Sequence, residues 1–282
     1  MELEPRKFLK LMDIDSLKRL RQISKDVRQD VIRMQQRGTG VGSALSAVDL
    51  LVVLYFDTMF FPHSTHPDRD RFILSKGHAA AALYSVLAHK GVIGAELLPG
   101  FLTDNSPLTG HPVRGSLPGI EVSSGSLGHG LPLAVGMALA AKMDEKPYRV
   151  FVLLGDGELQ EGSVWEGAAL AARLRLDNLV MLIDVNGLQG YDRVDAIMPN
   201  DALAAKLLAF GWQVEMIDGH DHPAISQSLA ACPLAPVRPT ALIARTIKGK
   251  GVKEMENQLG WHYFSVPAAK VEQFVQELEG EA

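Results

Sequence analysis

The sequence predicts an α/β fold: a doubly wound, mostly parallel sheet with helices on both faces. Three observations carry this. The apolar runs Val150 to Leu154, Leu179 to Asp184, Trp212 to Ile217 and Thr240 to Arg245 lack the polar alternation of half-exposed strands, as expected of strands buried on both faces. Helical stretches separate them, Glu161 to Leu174, Asp201 to Ala209 and Pro223 to Ala231, and these supply the crossovers that parallel pairing requires. With 47% apolar and 22% charged residues over 282 positions, the chain has the material for a large core.

The first half is more irregular. Residues 15 to 36 read as a helix, with Asp15 or Ser16 as its cap and Leu17, Leu20, Ile23, Val27, Val31 and Met34 at helical spacing. Gly38, Gly40 and Gly42 then form a loop. Ser46 to Thr58 is a second helix, apolar nearly all round and therefore buried. A loop rich in His, Pro and Asp, Pro62 to Asp70, leads to a short strand, Arg71 to Leu74, and a helix from His78 to Lys90. Between Gly91 and Gly130 lie Pro99, Pro107, Pro112 and Pro118, and a loop of that length usually covers a site.

A net charge of -5 gives no positive field to attract nucleic acid, and the basic run Lys248, Lys250, Lys253 is short. The single cysteine, Cys232, cannot form an internal disulfide. The start, Met-Glu-Leu-Glu-Pro, lacks the apolar core of a signal peptide, and the apolar stretch Leu131 to Ala141 is too short to span a bilayer. The expectation is a cytoplasmic protein with no membrane or nucleic-acid partner.

Chemistry is sought at the carboxyl ends of the strands, where parallel sheets bind ligands. Gly155-Asp156-Gly157-Glu158 follows one strand and Val185-Asn186-Gly187-Leu188-Gln189 the next. Taken singly, each is more often a turn than a site. Their joint occurrence on consecutive strands points to a hard divalent cation, which takes carboxylate, amide and carbonyl oxygens and completes its shell with phosphate. A helix starting after Gly157 would aim its N–H groups at that phosphate. Gly125-Ser126-Leu127-Gly128-His129-Gly130 opens another helix. Of nine histidines, His78, His111 and His262 stand in glycine- or lysine-rich contexts suited to an anion or to proton transfer, although any one alone is more often a surface or cap residue.

The run from Gly155 to Ala168, continued from Leu176 to Gln189, closely resembles the thiamine-diphosphate signature of transketolases. The resemblance implies that Asp156 and Asn186 ligate Mg2+ (or Ca2+ or Mn2+) through their side chains and Leu188 through its carbonyl. It places Gly155, Gly157 and Glu158 at the diphosphate, and Gly125, Ser126 and Leu127 beside the cofactor. The segments around His78 and His111 are similar to motifs lining the donor site, and His262 resembles a late histidine reaching the diphosphate and donor; these three would be catalytic. His129 stands where many members carry Gln. Where full-length transketolases have a Gly-His-Pro-Gly loop, this chain has Gly38 to Ser43 without histidine, which leaves the sugar substrates open, a sulfonated sugar included.

The resemblance covers nearly all of the chain but only the first domain of a full-length enzyme. Residues 1 to 282 are accordingly expected to form one diphosphate-binding domain. The pyrimidine-binding domain, with the glutamate that activates the aminopyrimidine, and the C-terminal domain are expected on a second subunit, in a heterotetramer. Glu161 and Glu166 lie on the helix behind the metal loop and resemble interface glutamates or are ordinary helix carboxylates. The implied reaction moves a two-carbon ketol unit from a ketose, a sugar phosphate, to an aldose. The rivals are another thiamine-dependent subunit, like deoxyxylulose phosphate synthase or a 2-oxo-acid dehydrogenase, and a non-catalytic cofactor-binding module.

Overall fold

The computed structural model describes residues 12–280, so the acidic start of the chain lies outside the described residues. Its strands are β1 (Arg71–Leu74), β2 (Val150–Gly155), β3 (Leu179–Val185), β4 (Gln213–Asp218) and β5 (Thr240–Arg245). All pair in parallel, in the order β1-β2-β3-β5-β4. Gly155 lies opposite Asp184, so β2 and β3 end level, and the loops that follow them leave from the same edge.

Alternate residues along each strand serve two cores. Phe151, Leu153, Val180, Leu182 and Leu242 pack into one with residues of α1 (Ile14–Met34), α2 (Val41–Val53), α3 (Ala80–His89), α8 (His222–Ala230) and α9 (Val271–Glu279). Val152, Leu154, Met181 and Ile183 pack into the other with α4 (Gly130–Met143), α5 (Gly162–Arg173) and α7 (Leu203–Ala209); α6 (Val194–Ile197) is a single turn. The doubly wound α/β reading is what the structure has. Every residue of α2 is buried. Burying a Leu, Ile or Val side chain contributes about 1.5–3 kcal/mol, so this helix anchors the first core.

Several boundaries differ from the sequence reading. Asp13, not Asp15 or Ser16, caps α1, its Oδ1 accepting from the Ser16 amide at 2.7 Å. α2 begins at Val41 rather than Ser46, and Gly42 lies inside it, because Gly40 makes the turn alone at φ 85°. Leu54–Thr58 continues as a π-helical turn. β4 is an edge strand, and Met216 on it is 51% exposed, so burial on both faces fails there, while it holds for the other edge strand, β1, and for the inner strands. α9 was not anticipated, although Val271, Phe274, Val275 and Leu278 recur along it at helical spacing. The 18-residue stretch Val41–Thr58 is also the longest apolar helical segment among the described residues, exceeding Leu131 to Ala141, and 83% of it is buried. Its apolar surface is met by the core.

Candidate active site

At the carboxyl edge of the sheet is a cavity of about 310 Å³. The loops after β1, β2 and β3 build it, together with the start of α2 and the segment ending at His262. Of the residues singled out from sequence, His78, Leu127, Gly155, Asp156, Gly157, Glu158, Asn186, Leu188 and His262 line it. Glu161 is at its rim, whereas Glu166 is exposed on α5 outside it.

Asp156 is 3% exposed. Its Oδ1 accepts from the Gly157 amide at 2.9 Å and its Oδ2 from the Gly187 amide at 2.6 Å. The carboxylate thus ties the β2 loop to the β3 loop. Gly187 has φ 77°, a conformation that glycine alone adopts without strain, which explains Asn-Gly at this point. Asn186 accepts at Oδ1 from the Leu188 amide at 3.1 Å and donates from Nδ2 to Ser46 Oγ at 3.4 Å. Burial, and then the neighbouring Asp184, push the Asp156 carboxyl up to about 6, against the two amide bonds that favour its ionised form.

Beneath these loops is a buried ion pair that the sequence reading did not anticipate. Lys76 Nζ contacts Asp184 Oδ2 and donates to the Ser43 carbonyl at 3.0 Å. Ser46 Oγ donates to the same carboxylate at 2.6 Å, and Thr246 Oγ1 donates to its other oxygen. Burial opposes ionisation of Asp184, but Lys76 and these donors outweigh it and hold the carboxyl below its usual range. Lys248, also buried, donates to Ser43 Oγ at 2.9 Å and lies 3.2 Å from His262 Nδ1. Burial and Lys76 lower it to about 8.

The two site histidines face one another, ring centroids 5.4 Å apart. Burial, then Lys248 and Lys76, bring His262 down to about 4. Burial, then Lys76, His262, Lys248 and His111, hold His78 well below its ordinary value. Both imidazoles are therefore neutral near pH 7. With the Lys248 ammonium at Nδ1, His262 carries its proton on Nε2, leaving an N–H to offer a ligand.

Other expectations need correction. Gly157 opens a 3-10 turn, Gly157–Gln160, and α5 starts only at Gly162. The Gly157 amide is already taken by Asp156, so no α-helix N-terminus begins at the glycine. Glu158 lines the cavity, but both its oxygens are engaged: Oε1 by Ser75 Oγ and the Gly128 amide at 2.9 Å, Oε2 by the Gly155 amide at 3.2 Å. It joins three loops. His111, Gly125 and Ser126 lie outside the cavity lining. His111 is exposed and rests on Gly77 and Gly125, where a Cβ would sit 3.2 and 3.4 Å from its ring. His129 is exposed at the start of α4 and makes no side-chain cap bond.

Ser43, Lys76, Lys248, Tyr191 and Tyr263 were missed. Only the Lys-Gly-Lys-Gly run and the Ser-Lys-Gly-His segment could have signalled the lysines, since nothing in a sequence shows that a lysine is buried.

The donor set fits a diphosphate bound through a divalent cation. Among the described residues no group of three His, Cys, Asp or Glu side chains could cage a metal. Asp156, Asn186 and Leu188 line the same cavity, and a carboxylate, an amide oxygen and a backbone carbonyl are the oxygen types that suit Mg2+ sharing its shell with phosphate. A cation beside Asp156 would offset the desolvation that raises its pKa.

Comparison with known proteins agrees with this architecture. The family profile "Transketolase, thiamine diphosphate binding domain" matches residues 16–280. The chain is 41% identical over 240 residues to an apulose-4-phosphate transketolase subunit of Phocaeicola vulgatus, covering 84% of this chain and 85% of that one. It is 40% identical over 243 residues to the 6-deoxy-6-sulfo-D-fructose transketolase subunit SqwG of a Clostridium species, covering 86% and 88%. The crystal structure of transketolase from Campylobacter jejuni superimposes with a TM-score of 0.85 at 30% identity, over 95% of this chain and 43% of that one. The chain belongs to the transketolase family and corresponds to its thiamine-diphosphate-binding domain.

Proposed function

We propose that this chain is the diphosphate-binding subunit of a two-subunit transketolase that moves a two-carbon ketol unit from a ketose to an aldose. The observation that carries this is the convergence of Asp156, Asn186 and Leu188 with two buried lysines and two neutral histidines on one cavity. The names of the similar chains of comparable length, both called subunits, support a separate partner bringing the pyrimidine-binding domain and its glutamate.

Thiamine diphosphate, when bound, supplies a carbanion equivalent able to break and make a carbon–carbon bond beside a carbonyl. The chain's own residues would do the rest. Asp156, Asn186 and the Leu188 carbonyl would hold Mg2+ on the diphosphate, with Lys76 and Lys248 contributing positive charge from below. The Nε2–H of His262 would donate to an oxygen of the ligand. His78, neutral and close by, can hold or pass a proton at the substrate's hydroxyl and carbonyl oxygens. His111 would reach the site only from its rim. The donor is a sugar phosphate or, as the name of the Clostridium relative suggests for that protein, a sulfonated sugar.

The test is to co-express the chain with a candidate partner carrying the pyrimidine-binding domain and to assay ketol transfer from ketose phosphates and sulfonated ketoses. Transfer by the pair and by neither chain alone is expected. Decarboxylation of pyruvate without ketol transfer would replace this reading with a different thiamine chemistry.

A further inference from the structure

Away from the catalytic cavity, and sharing no lining residue with it, is a second cleft of about 660 Å³ between α1, the turn into α8 and the loop carrying Lys250. Lys18, Arg21, Lys25 and Arg28 fall on one face of α1 at spacings of three and four, and all four line the cleft. With Lys250 they make five permanent cations, and Asp49 is the sole carboxylate in the lining. In a chain of net charge -5 this is a local reversal of sign.

Asp49 offsets one of these five, Arg28, on the floor of the cleft, and leaves the others without a carboxylate in the lining. Arg28 donates to both its oxygens, at 3.1 and 2.5 Å, and His220 Nδ1 lies 2.8 Å from Oδ2. The Ile247 amide donates to His220 Nε2 at 2.8 Å, so the proton of His220 sits on Nδ1 and points at Asp49. His222 Nε2 faces Ser24 Oγ at 2.9 Å and Asp49 at 3.4 Å. Burial opposes ionisation of Asp49, yet Arg28 and the His220 bond keep it ionised well below the usual carboxylate range. The floor is thus an ionised, largely buried ion pair, Arg28 being 6% exposed as a residue. At the rim, Lys25 reaches the Glu279 carbonyl at 3.0 Å and Lys250 lies 3.6 Å from Glu256, while Lys18 and Arg21 are exposed.

We propose that this cleft binds a small oligophosphate, recognised through its phosphates. The volume suits a small molecule. A cluster of arginines and lysines is the chemistry that recognises phosphate. The lining holds no Phe, Tyr or Trp, and its two imidazoles are engaged by Asp49, Ser24 and the Ile247 amide, so a nucleobase should add little to affinity.

The test is calorimetric titration of the full chain with sodium tripolyphosphate, with chelator present to suppress any Mg2+-dependent binding in the catalytic cavity. Saturable one-site binding is expected, weakened at high ionic strength. Charge reversal at the exposed rim, K18E/R21E, should weaken it at least tenfold. Asp156→Ala should leave it unchanged, which separates this site from the catalytic one. R173E/R238E, a reversal on a distant basic patch, should also leave it unchanged. ATP should bind with the affinity of tripolyphosphate. The proposal is overturned if the wild-type chain shows no binding, if K18E/R21E binds like wild type, or if R173E/R238E loses as much affinity. Much tighter binding of ATP would overturn recognition through phosphate alone.

Discussion

Two buried carboxylates in this molecule are held by cations in opposite ways. Asp184, fully buried at the end of β3, is paired with Lys76, and Ser46 and Thr246 donate to it as well. Asp49, 2% exposed on α2, is gripped by Arg28 and backed by His220 and His222. The first centre depends on one permanent cation beneath a ligand cavity. The second has Arg28 on both carboxylate oxygens and two imidazoles within hydrogen-bond or ion-pair reach, His220 at 2.8 Å and His222 at 3.4 Å. Lys76 is also among the charges that hold His78 and His262 below their ordinary values, whereas the Arg28–Asp49 centre ties α1 to α2 and to the turn carrying His220.

The largest expected effect is at the first centre. Lys76→Met leaves Asp184 buried and uncompensated, and should cost about 3–5 kcal/mol in urea unfolding. Arg28→Met should cost less, roughly 2 kcal/mol, because His220 Nδ1, 2.8 Å from Asp49 Oδ2, still hydrogen-bonds the carboxylate. Equal costs at both centres would erase the distinction.

A smaller effect sharpens it. The folded pKa of His262 is about 4, against 6.5 for an unperturbed imidazole. Between those values the unfolded chain binds the extra proton at this site, so the contribution of His262 to stability rises with pH from about 4 to 6.5, opposite in sign to that of Asp156, raised to about 6. His262→Gln should lower the slope of the stability-versus-pH curve in this window, measured by thermal unfolding, while leaving stability above pH 7 nearly as before. The smallest effect is at Glu158, whose oxygens fasten Ser75, Gly128 and Gly155. Glu158→Gln keeps one acceptor and should cost about 1 kcal/mol in the same measurement.

The difference between these regions also marks what the sequence could show. Strand runs, helix periodicity and the Gly-Asp-Gly and Asn-Gly loops are local patterns; they led to the sheet and singled out Asp156 and Asn186, to which the family resemblance added Leu188, and all three line one cavity. The early start of α2 was missed because a single left-handed glycine, Gly40, decides it, whereas α9 was legible, its Val271, Phe274, Val275 and Leu278 standing at helical spacing. Lys76 and Lys248 were illegible as site residues. Their roles come from burial against residues 108 and 205 positions away in the chain, Asp184 and Ser43. His111, assigned to the site from its local motif, stands at the rim because motif similarity carries no depth.

The central claim is that Asp156 and Asn186 converge on one magnesium-bound diphosphate. Titrating thiamine diphosphate into the wild-type chain and into Asp156→Ala, with and without Mg2+, tests it most directly. The account predicts Mg2+-dependent binding in the wild type that the variant loses by at least a hundredfold while remaining folded. Wild-type affinity and an unchanged Mg2+ requirement in the variant would contradict it.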